Sequence, residues 1–250
     1  LGDVYKRQTE EWSVATLSGP NAGKILKAAG VDISLDPADF PFMTMREAHI
    51  AGLPVRIFRI SFTGELSYEI NIRARHGLAL WTHLMKAGAE FGITPYGTEA
   101  MHVLRAEKGF IIVGQETDGS VTPQDLGMDW IVSKVKPDYI GKRALERASM
   151  AADNRKQLVG LRTKERKQVI PEGAHAVLDP NQPMPMDMLG QVTSSYYSPN
   201  VGSSIAMAML KGGRALMGGT VYLPMLDGSV IEAEVVEPIF YDPKGERLNG

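Results

Sequence analysis

The sequence of 250 residues contains no cysteine. Without thiols the chain cannot form disulfide bonds, use a thiolate nucleophile, or bind zinc or iron–sulfur clusters through cysteine. It also lacks an apolar run of the roughly 20 residues that cross a bilayer. Its first residues do not show the basic and then apolar segments of a signal peptide. We therefore expect a soluble, cytoplasmic protein with no membrane partner.

Positive and negative residues are nearly equal in number. The chain has 27 Lys and Arg residues and 29 Asp and Glu residues, which gives a net charge of −2. A chain this close to neutrality has no broad positive field to attract nucleic acid, and we expect no such partner. Hydrophobic residues make up 44% and charged residues 22% of the chain, as in ordinary globular proteins. The length predicts one large domain or two modest ones.

Motifs of common cofactor and metal sites are missing as well. The segment GPNAGK at residues 19–24 is one residue short of a phosphate loop, and Ile25 follows it where that loop requires Ser or Thr. The sequence contains neither the GxGxxG fingerprint of dinucleotide binding nor the GxSxG turn of serine hydrolases. No two of its histidines are three or four residues apart, so we expect no metal site.

Hydrophobic periodicity predicts a mixed fold in the first half of the chain. Strand signals cover residues 11–18, 43–50, 53–62 and 66–73, and helical spacing marks residues 21–29, 76–91 and 98–108. In the fourth strand Leu66, Tyr68 and Ile70 alternate with polar residues, so one face of the sheet should pack on a core. Because strands and helices do not alternate regularly, we expect an α+β fold with an antiparallel sheet.

Short strands replace the helical signal beyond residue 156. Six candidates separated by Gly, Pro, Asn and Asp occupy residues 157–162, 175–178, 190–196, 205–210, 220–223 and 229–238. They predict a β-barrel or a sandwich, of which we expect a small C-terminal β-barrel. Between the two halves, residues 122–127 and 140–150 are predicted to be short helices.

One set of polar residues stands out on the predicted sheet and on the helix that follows it. Glu65 comes after a Thr-Gly turn at the start of a strand, and Glu99, His102 and Arg105 recur every three residues on one helix. A carboxylate and an arginine placed in this way form either a structural ion pair or part of a binding site. The residues alone leave both interpretations open.

Four longer segments carry a family resemblance. They are RISFTGELSYEI at residues 59–70, TPYGTEAMHVLRAEKGFIIVGQETDG at 94–119, DYIGKRAL at 138–145 and GQVTSSYYSPNVGSSIAMAML at 190–210. Together they resemble the folate-dependent aminomethyltransferases of the glycine-cleavage T-protein family, in particular the version found in alpha subunits of heterotetrameric sarcosine oxidases. The resemblance implies an antiparallel-sheet, aminomethyltransferase-type folate-binding domain followed by a small C-terminal β-barrel domain.

The resemblance also implies two folate-binding residues. Glu65 matches the Glu that holds the amino-pyrimidine edge of tetrahydrofolate, a role suited to a carboxylate, which can accept two parallel N–H bonds. Arg105 matches an arginine near the folate site, although it could equally clamp Glu65 or another carboxylate. The family's catalytic Asp precedes the first strand predicted here, so the catalytic residue is unknown.

The implied function is that of one part of a larger enzyme. In that enzyme a flavin in the partner beta subunit oxidises sarcosine, and the one-carbon unit passes to tetrahydrofolate to give glycine, 5,10-methylenetetrahydrofolate and hydrogen peroxide. The resemblance places FAD, FMN and NAD outside this chain, which by itself should be inactive. Two alternatives stay open: a glycine-cleavage aminomethyltransferase or dimethylglycine dehydrogenase domain, and a non-enzymatic folate-sensing or structural module.

These observations predict four parts of the chain. We expect a foreign or truncated segment at residues 1–8, an N-terminally incomplete α+β folate-binding domain at 9–135, a helical connector at 136–154 and the β-barrel domain at 155–250.

Overall fold

A computed structural model describes residues 9–249 of the chain, so the predicted foreign segment at residues 1–8 lies outside the described residues. The chain forms two compact units. The first comprises the described residues up to His102 together with those from Lys244 onward, and the second comprises Val103–Pro243. The domain boundaries that the sequence suggests near residues 135 and 155 stay predictions.

A four-stranded antiparallel sheet forms the centre of the first unit, with the strand order β1-β4-β3-β2. Its strands are β1 (Trp12–Ser18), β2 (Thr44–Ile50), β3 (Leu53–Arg59) and β4 (Ser67–Arg73). The helices are α1 (Ala22–Ala28), α2 (Gly77–Ala87) and α3 (Thr98–Glu107), of which the last begins in the first unit and ends in the second. The predicted α+β fold with an antiparallel sheet is confirmed.

Buried and more exposed residues alternate along β4, which shows which face of the sheet packs against the hydrophobic core. Tyr68, Ile70 and Ile72 point to the buried face, where they pack in one hydrophobic cluster with Leu26 of α1 and Leu84 of α2. The apolar side chains of a strand recur every second residue, and those of a helix recur every three or four. One face of the sheet and one face of each helix are thereby removed from water, which is the main source of stability of such a unit.

A six-stranded antiparallel sheet forms the second unit, with the order β6-β7-β8-β5-β10-β9. Its strands are β5 (Lys156–Thr163), β6 (His175–Ala176), β7 (Gly190–Ser198), β8 (Ser203–Lys211), β9 (Thr220–Pro224) and β10 (Val230–Val236). The backbones of Val177 and Tyr222 exchange two hydrogen bonds of 2.8 and 3.0 Å, which join the two outer strands. The sheet is therefore closed, and the predicted barrel is confirmed.

One of the two short helices predicted between the halves of the chain is not formed. Residues 122–127 form a turn and not a helix. The backbone N–H of Thr122 donates to Asp125 Oδ2 at 2.8 Å, and its hydroxyl donates to the same oxygen at 2.9 Å. Such local side-chain bonds compete with helical backbone bonds. Further along, helix α4 covers only Lys142–Leu145.

No helix among residues 9–249 combines the length and the apolar character needed to cross a membrane.

Candidate functional site

Glu65 lies at the end of the turn that joins β3 to β4. Gly64, the residue before it, has a φ of +81°, a conformation that glycine adopts without the steric cost that other residues pay. The N–H of Gly64 donates to Ser61 Oγ at 3.0 Å, which fixes the turn. The turn delivers the Glu65 side chain to the start of β4 with 18% of its surface exposed.

Arg247 is the ion-pair partner of Glu65 within the first unit. Its Nε donates to Glu65 Oε1 at 2.5 Å, and its side chain is itself 45% exposed. Within the described part of the chain, Glu65 Oε2 accepts no hydrogen bond. The carboxylate is therefore held at one oxygen, while the other oxygen is available to an outside donor.

The first unit contains one cavity beside β1 and another beside the start of β4. The larger one, of about 530 Å³, lies beside β1, and residues lining it include Ser18, Gly19 and Tyr96. The smaller one, of about 190 Å³, is lined in part by Leu66. The N–H of Gly19 donates to the carbonyl of Leu66 at 2.8 Å, which extends the antiparallel pairing of β1 with β4 by one residue. Glu65 is the residue immediately before Leu66 and itself lines neither cavity.

Arg105 lies in the second unit and its side chain is fully buried. One terminal nitrogen, Nη1, donates to Glu116 Oε2 and to the carbonyl of Phe110, both at 3.0 Å. The other, Nη2, donates to Ser194 Oγ at 2.5 Å, and that hydroxyl donates to Glu116 Oε1 at 2.5 Å. The N–H of Ile112 completes the set by donating to Glu116 Oε2 at 2.7 Å. A buried positive charge and a buried negative charge thus neutralise each other in one network.

The two predicted folate-binding residues belong to different units, and each has its own charged partner. The carboxylate that Arg105 clamps is that of Glu116, and the cation that holds Glu65 is Arg247. The contact of Arg105 with folate stays a prediction. Glu99 and His102, the other two residues of the set predicted on α3, make no side-chain hydrogen bond within residues 9–249.

Several buried polar residues of the second unit were not singled out from the sequence. Glu107, at the end of α3, accepts hydrogen bonds from Ser198 Oγ at 2.6 Å and from Asn200 Nδ2 at 2.8 Å. The next residue, Lys108, pairs with Asp242 at 2.9 Å. The motif LRAEKG contains both residues, but nothing in its local spacing reveals partners about 90 and 134 positions away.

In the described chain, no three His, Asp or Glu side chains come together as a metal site. An ionised carboxylate such as that of Glu65 acts only as a hydrogen-bond acceptor.

Comparison with known protein families identifies both halves of the chain. Residues 3–136 match the model of the GCVT N-terminal domain. Residues 156–242 match the model of the glycine cleavage T-protein C-terminal barrel domain.

Individual relatives agree with these matches. The chain is 43% identical to the sarcosine oxidase subunit alpha of Corynebacterium sp. (strain P-1), over 97% of this chain and 25% of that protein. It is 33% identical to the human mitochondrial dimethylglycine dehydrogenase, over 97% of this chain and 27% of that protein. The chain thus spans about a quarter of the length of these two relatives.

A solved structure shows the same fold. The glycine cleavage system aminomethyltransferase T from Bartonella henselae superposes with a TM-score of 0.78 and 24% identity, covering 93% of this chain and 60% of that one. The fold and the resemblance predicted from the sequence are both confirmed. The chain belongs to the glycine cleavage T-protein family.

Proposed function

We propose that this chain is the tetrahydrofolate-binding part of a sarcosine oxidase alpha subunit and that Glu65 holds the pterin ring. The observation that carries the proposal is the geometry of the Glu65 carboxylate, which Arg247 binds at one oxygen and whose other oxygen accepts no hydrogen bond within residues 9–249. The 43% identity to a sarcosine oxidase alpha subunit supports the choice of enzyme.

The hydrogen-bonding capacity of Glu65 suits this ligand. An ionised carboxylate only accepts hydrogen bonds, and the amino-pyrimidine edge of a pterin offers two parallel N–H donors. The bond from Arg247 uses one acceptor position of Oε1, so that oxygen retains capacity and Oε2 is open. Hydrogen bonds from the pterin to an ionised carboxylate would be charge-assisted.

The contribution of this chain to the reaction would be positional. Holding the reduced pterin with its N5 and N10 toward the oxidised amine turns a reaction between two free molecules into one within a complex. Oxidation of sarcosine by O₂ would occur at a flavin of the partner beta subunit. The products would be glycine, 5,10-methylenetetrahydrofolate and hydrogen peroxide. FAD, FMN and NAD would be bound by other parts of the enzyme.

Calorimetry with tetrahydrofolate and the complete protein tests the role of Glu65. We expect Glu65→Gln to raise the Kd about 30-fold, since an amide nitrogen would face the pterin donors and a charge-assisted bond would be lost, at a cost of about 2 kcal/mol. The matched control is Glu11→Gln, because Glu11 forms an ion pair of 2.9 Å with Arg73 in the same unit. An unchanged Kd in folded Glu65→Gln protein would contradict the proposal.

The likeness to dimethylglycine dehydrogenase supports a second candidate, in which the same folate-binding part serves that enzyme. Turnover by the complete protein separates the candidates. Peroxide and methylenetetrahydrofolate formed from sarcosine favour the first, and turnover of dimethylglycine favours the second. Folate binding without transfer from either amine would favour a non-enzymatic role.

A further inference from the structure

The smaller cavity of the first unit is cationic. It has a volume of about 190 Å³, and its lining includes Lys24 and Lys27 of α1, Arg59 at the end of β3 and Tyr68 of β4. Among the described residues that line it there is no Asp or Glu. Three positive side chains therefore share one small space without a negative one.

Arg59 is the most informative of these residues because its charge is buried. The residue is 1% exposed. Its Nη1 donates to the carbonyl of Phe40 at 2.7 Å, its Nε has no hydrogen-bond partner, and no carboxylate of residues 9–249 pairs with it. Buried charges in proteins are normally paired, since an uncompensated one loses its hydration without replacement. A negatively charged ligand would supply the missing partner.

The other groups around the cavity can also hold an anion. Lys24 and Lys27 are exposed and form no ion pair with the described acidic residues. Burial raises the pKa of the Tyr68 phenol, and the charge of Arg59 offsets part of that rise. The phenol is therefore protonated at neutral pH and can donate a hydrogen bond.

We propose that this cavity binds a small oxyanion, a phosphate or carboxylate group, through Arg59, Lys24 and Lys27. Guanidinium and ammonium groups both recognise such oxyanions. The volume is below the range of about 300–1,000 Å³ typical of sites for larger organic ligands, which favours a single anionic group. The proposal is independent of folate binding and is tested without folate.

Titration of the 250-residue chain with inorganic phosphate, at an ionic strength held constant with sodium chloride, measures this site. We expect saturable binding by calorimetry and a rise in Tm, since a ligand that binds only the folded state stabilises it. A parallel titration with glutarate identifies the source of the anion. Stronger binding of phosphate indicates a phosphate site, and stronger binding of glutarate indicates a carboxylate site. Absence of binding by both anions would overturn the proposal.

Variants of the two lysines show whether phosphate binds in this cavity or acts on the protein only as a salt. Lys24→Gln combined with Lys27→Gln should raise the Kd roughly three- to ten-fold, because two partly screened charges are removed. Lys86→Gln is the matched control, since Lys86 is exposed on α2 and lines neither cavity. Equal binding by wild type and the double variant would refute the assignment.

Arg59→Met tests the buried charge itself. We expect the response to phosphate to be lost while the Tm in chloride alone is unchanged or higher, because an uncompensated buried charge has been replaced by an apolar side chain of similar length. A folded Arg59→Met protein that binds phosphate as wild type does would refute the proposal. If this variant fails to fold, the lysine variants decide the question.

Discussion

Replacing Arg105 by methionine should destabilise the second unit more than any change on its surface. Arg105 and Glu116 are both fully buried, and their ion pair of 3.0 Å is reinforced by Ser194, which bonds to both. Removing only the arginine leaves the Glu116 carboxylate buried without a cation. Breaking one partner of such a pair costs about 3–5 kcal/mol, a large share of the stability of an ordinary domain.

Removing both charges should cost less than the sum of the single changes. In Arg105→Met combined with Glu116→Met, neither member of this pair is left as an unpaired buried charge. The remaining penalty comes from the hydroxyl of Ser194 and the N–H of Ile112, which lose their acceptor, and from the carbonyl of Phe110, which loses its donor; we expect it to be about 1–3 kcal/mol. The double-mutant cycle should therefore give a coupling of at least about 2 kcal/mol between Arg105 and Glu116.

Urea denaturation followed by circular dichroism supplies the free energies of unfolding. Hydrogen exchange of amides in β7 and β8 shows that the affected transition belongs to the second unit. Additive effects of the two substitutions, or a loss below about 1 kcal/mol for Arg105→Met alone, would refute this account of the network.

Arg105→Lys distinguishes a structural role from contact with folate. Lysine keeps the charge but cannot reproduce the planar fork that reaches Glu116, Ser194 and the Phe110 carbonyl, so we expect a stability loss between wild type and Arg105→Met. If Arg105 acts only through the network, folded Arg105→Lys protein keeps the wild-type Kd for tetrahydrofolate. A raised Kd in fully folded protein would indicate contact with the ligand.

Three further changes test other parts of the second unit. Burial raises the pKa of Asp125, but hydrogen bonds from Arg155 and Thr122 outweigh burial and lower this pKa below its usual 3.8. The ionised Asp125 therefore stabilises the fold fully above about pH 3.8, and this stabilisation is lost as the pH falls through the pKa of the folded state. In urea titrations, Asp125→Asn should make the free energy of unfolding depend less on pH between about pH 5 and pH 2. Glu107→Gln should lower the free energy of unfolding by about 1–3 kcal/mol, measured in urea, because the amide NH₂ that replaces one carboxylate oxygen cannot accept the bond that this oxygen accepts from Ser198 or Asn200. Gly190→Ala should lower the Tm in calorimetry, since its Cβ would lie 1.9 Å from the carbonyl oxygen of Met209; an unchanged Tm would show that β7 and β8 can separate at little cost.

The strands and most helices could be predicted because their signals are local. In β4 the buried residues recur every second position, and the polar residues between them face away from the core, so the sequence shows both the strand and its inner face. The six strands of the second unit were recognised from short apolar runs between turn residues in the same way. The turn at residues 122–127 was predicted wrongly because the hydrogen bonds from Thr122 to Asp125 are decided by side-chain geometry, which the apolar pattern does not contain.

The candidate site was only partly predictable. Glu65 was identified through its motif, but its partner Arg247 is 182 positions away in the sequence. For Arg105 the sequence leaves contact with folate and clamping of a carboxylate both open. In the structure it pairs with Glu116 and also bonds to Ser194, on a strand 89 positions away. Hydrophobic spacing carries no information about which distant polar side chains will meet.

The sequence by itself determined the class of each half of the chain and the family to which the chain belongs. Apolar periodicity and turn residues act over a few positions, and family motifs can be read in one dimension. Only the tertiary structure decided that Val177 and Tyr222 close the barrel, that Arg247 holds Glu65, and that Arg59 is buried without a carboxylate. These features depend on strand register and on chain crossings, which bring together residues that no local pattern connects.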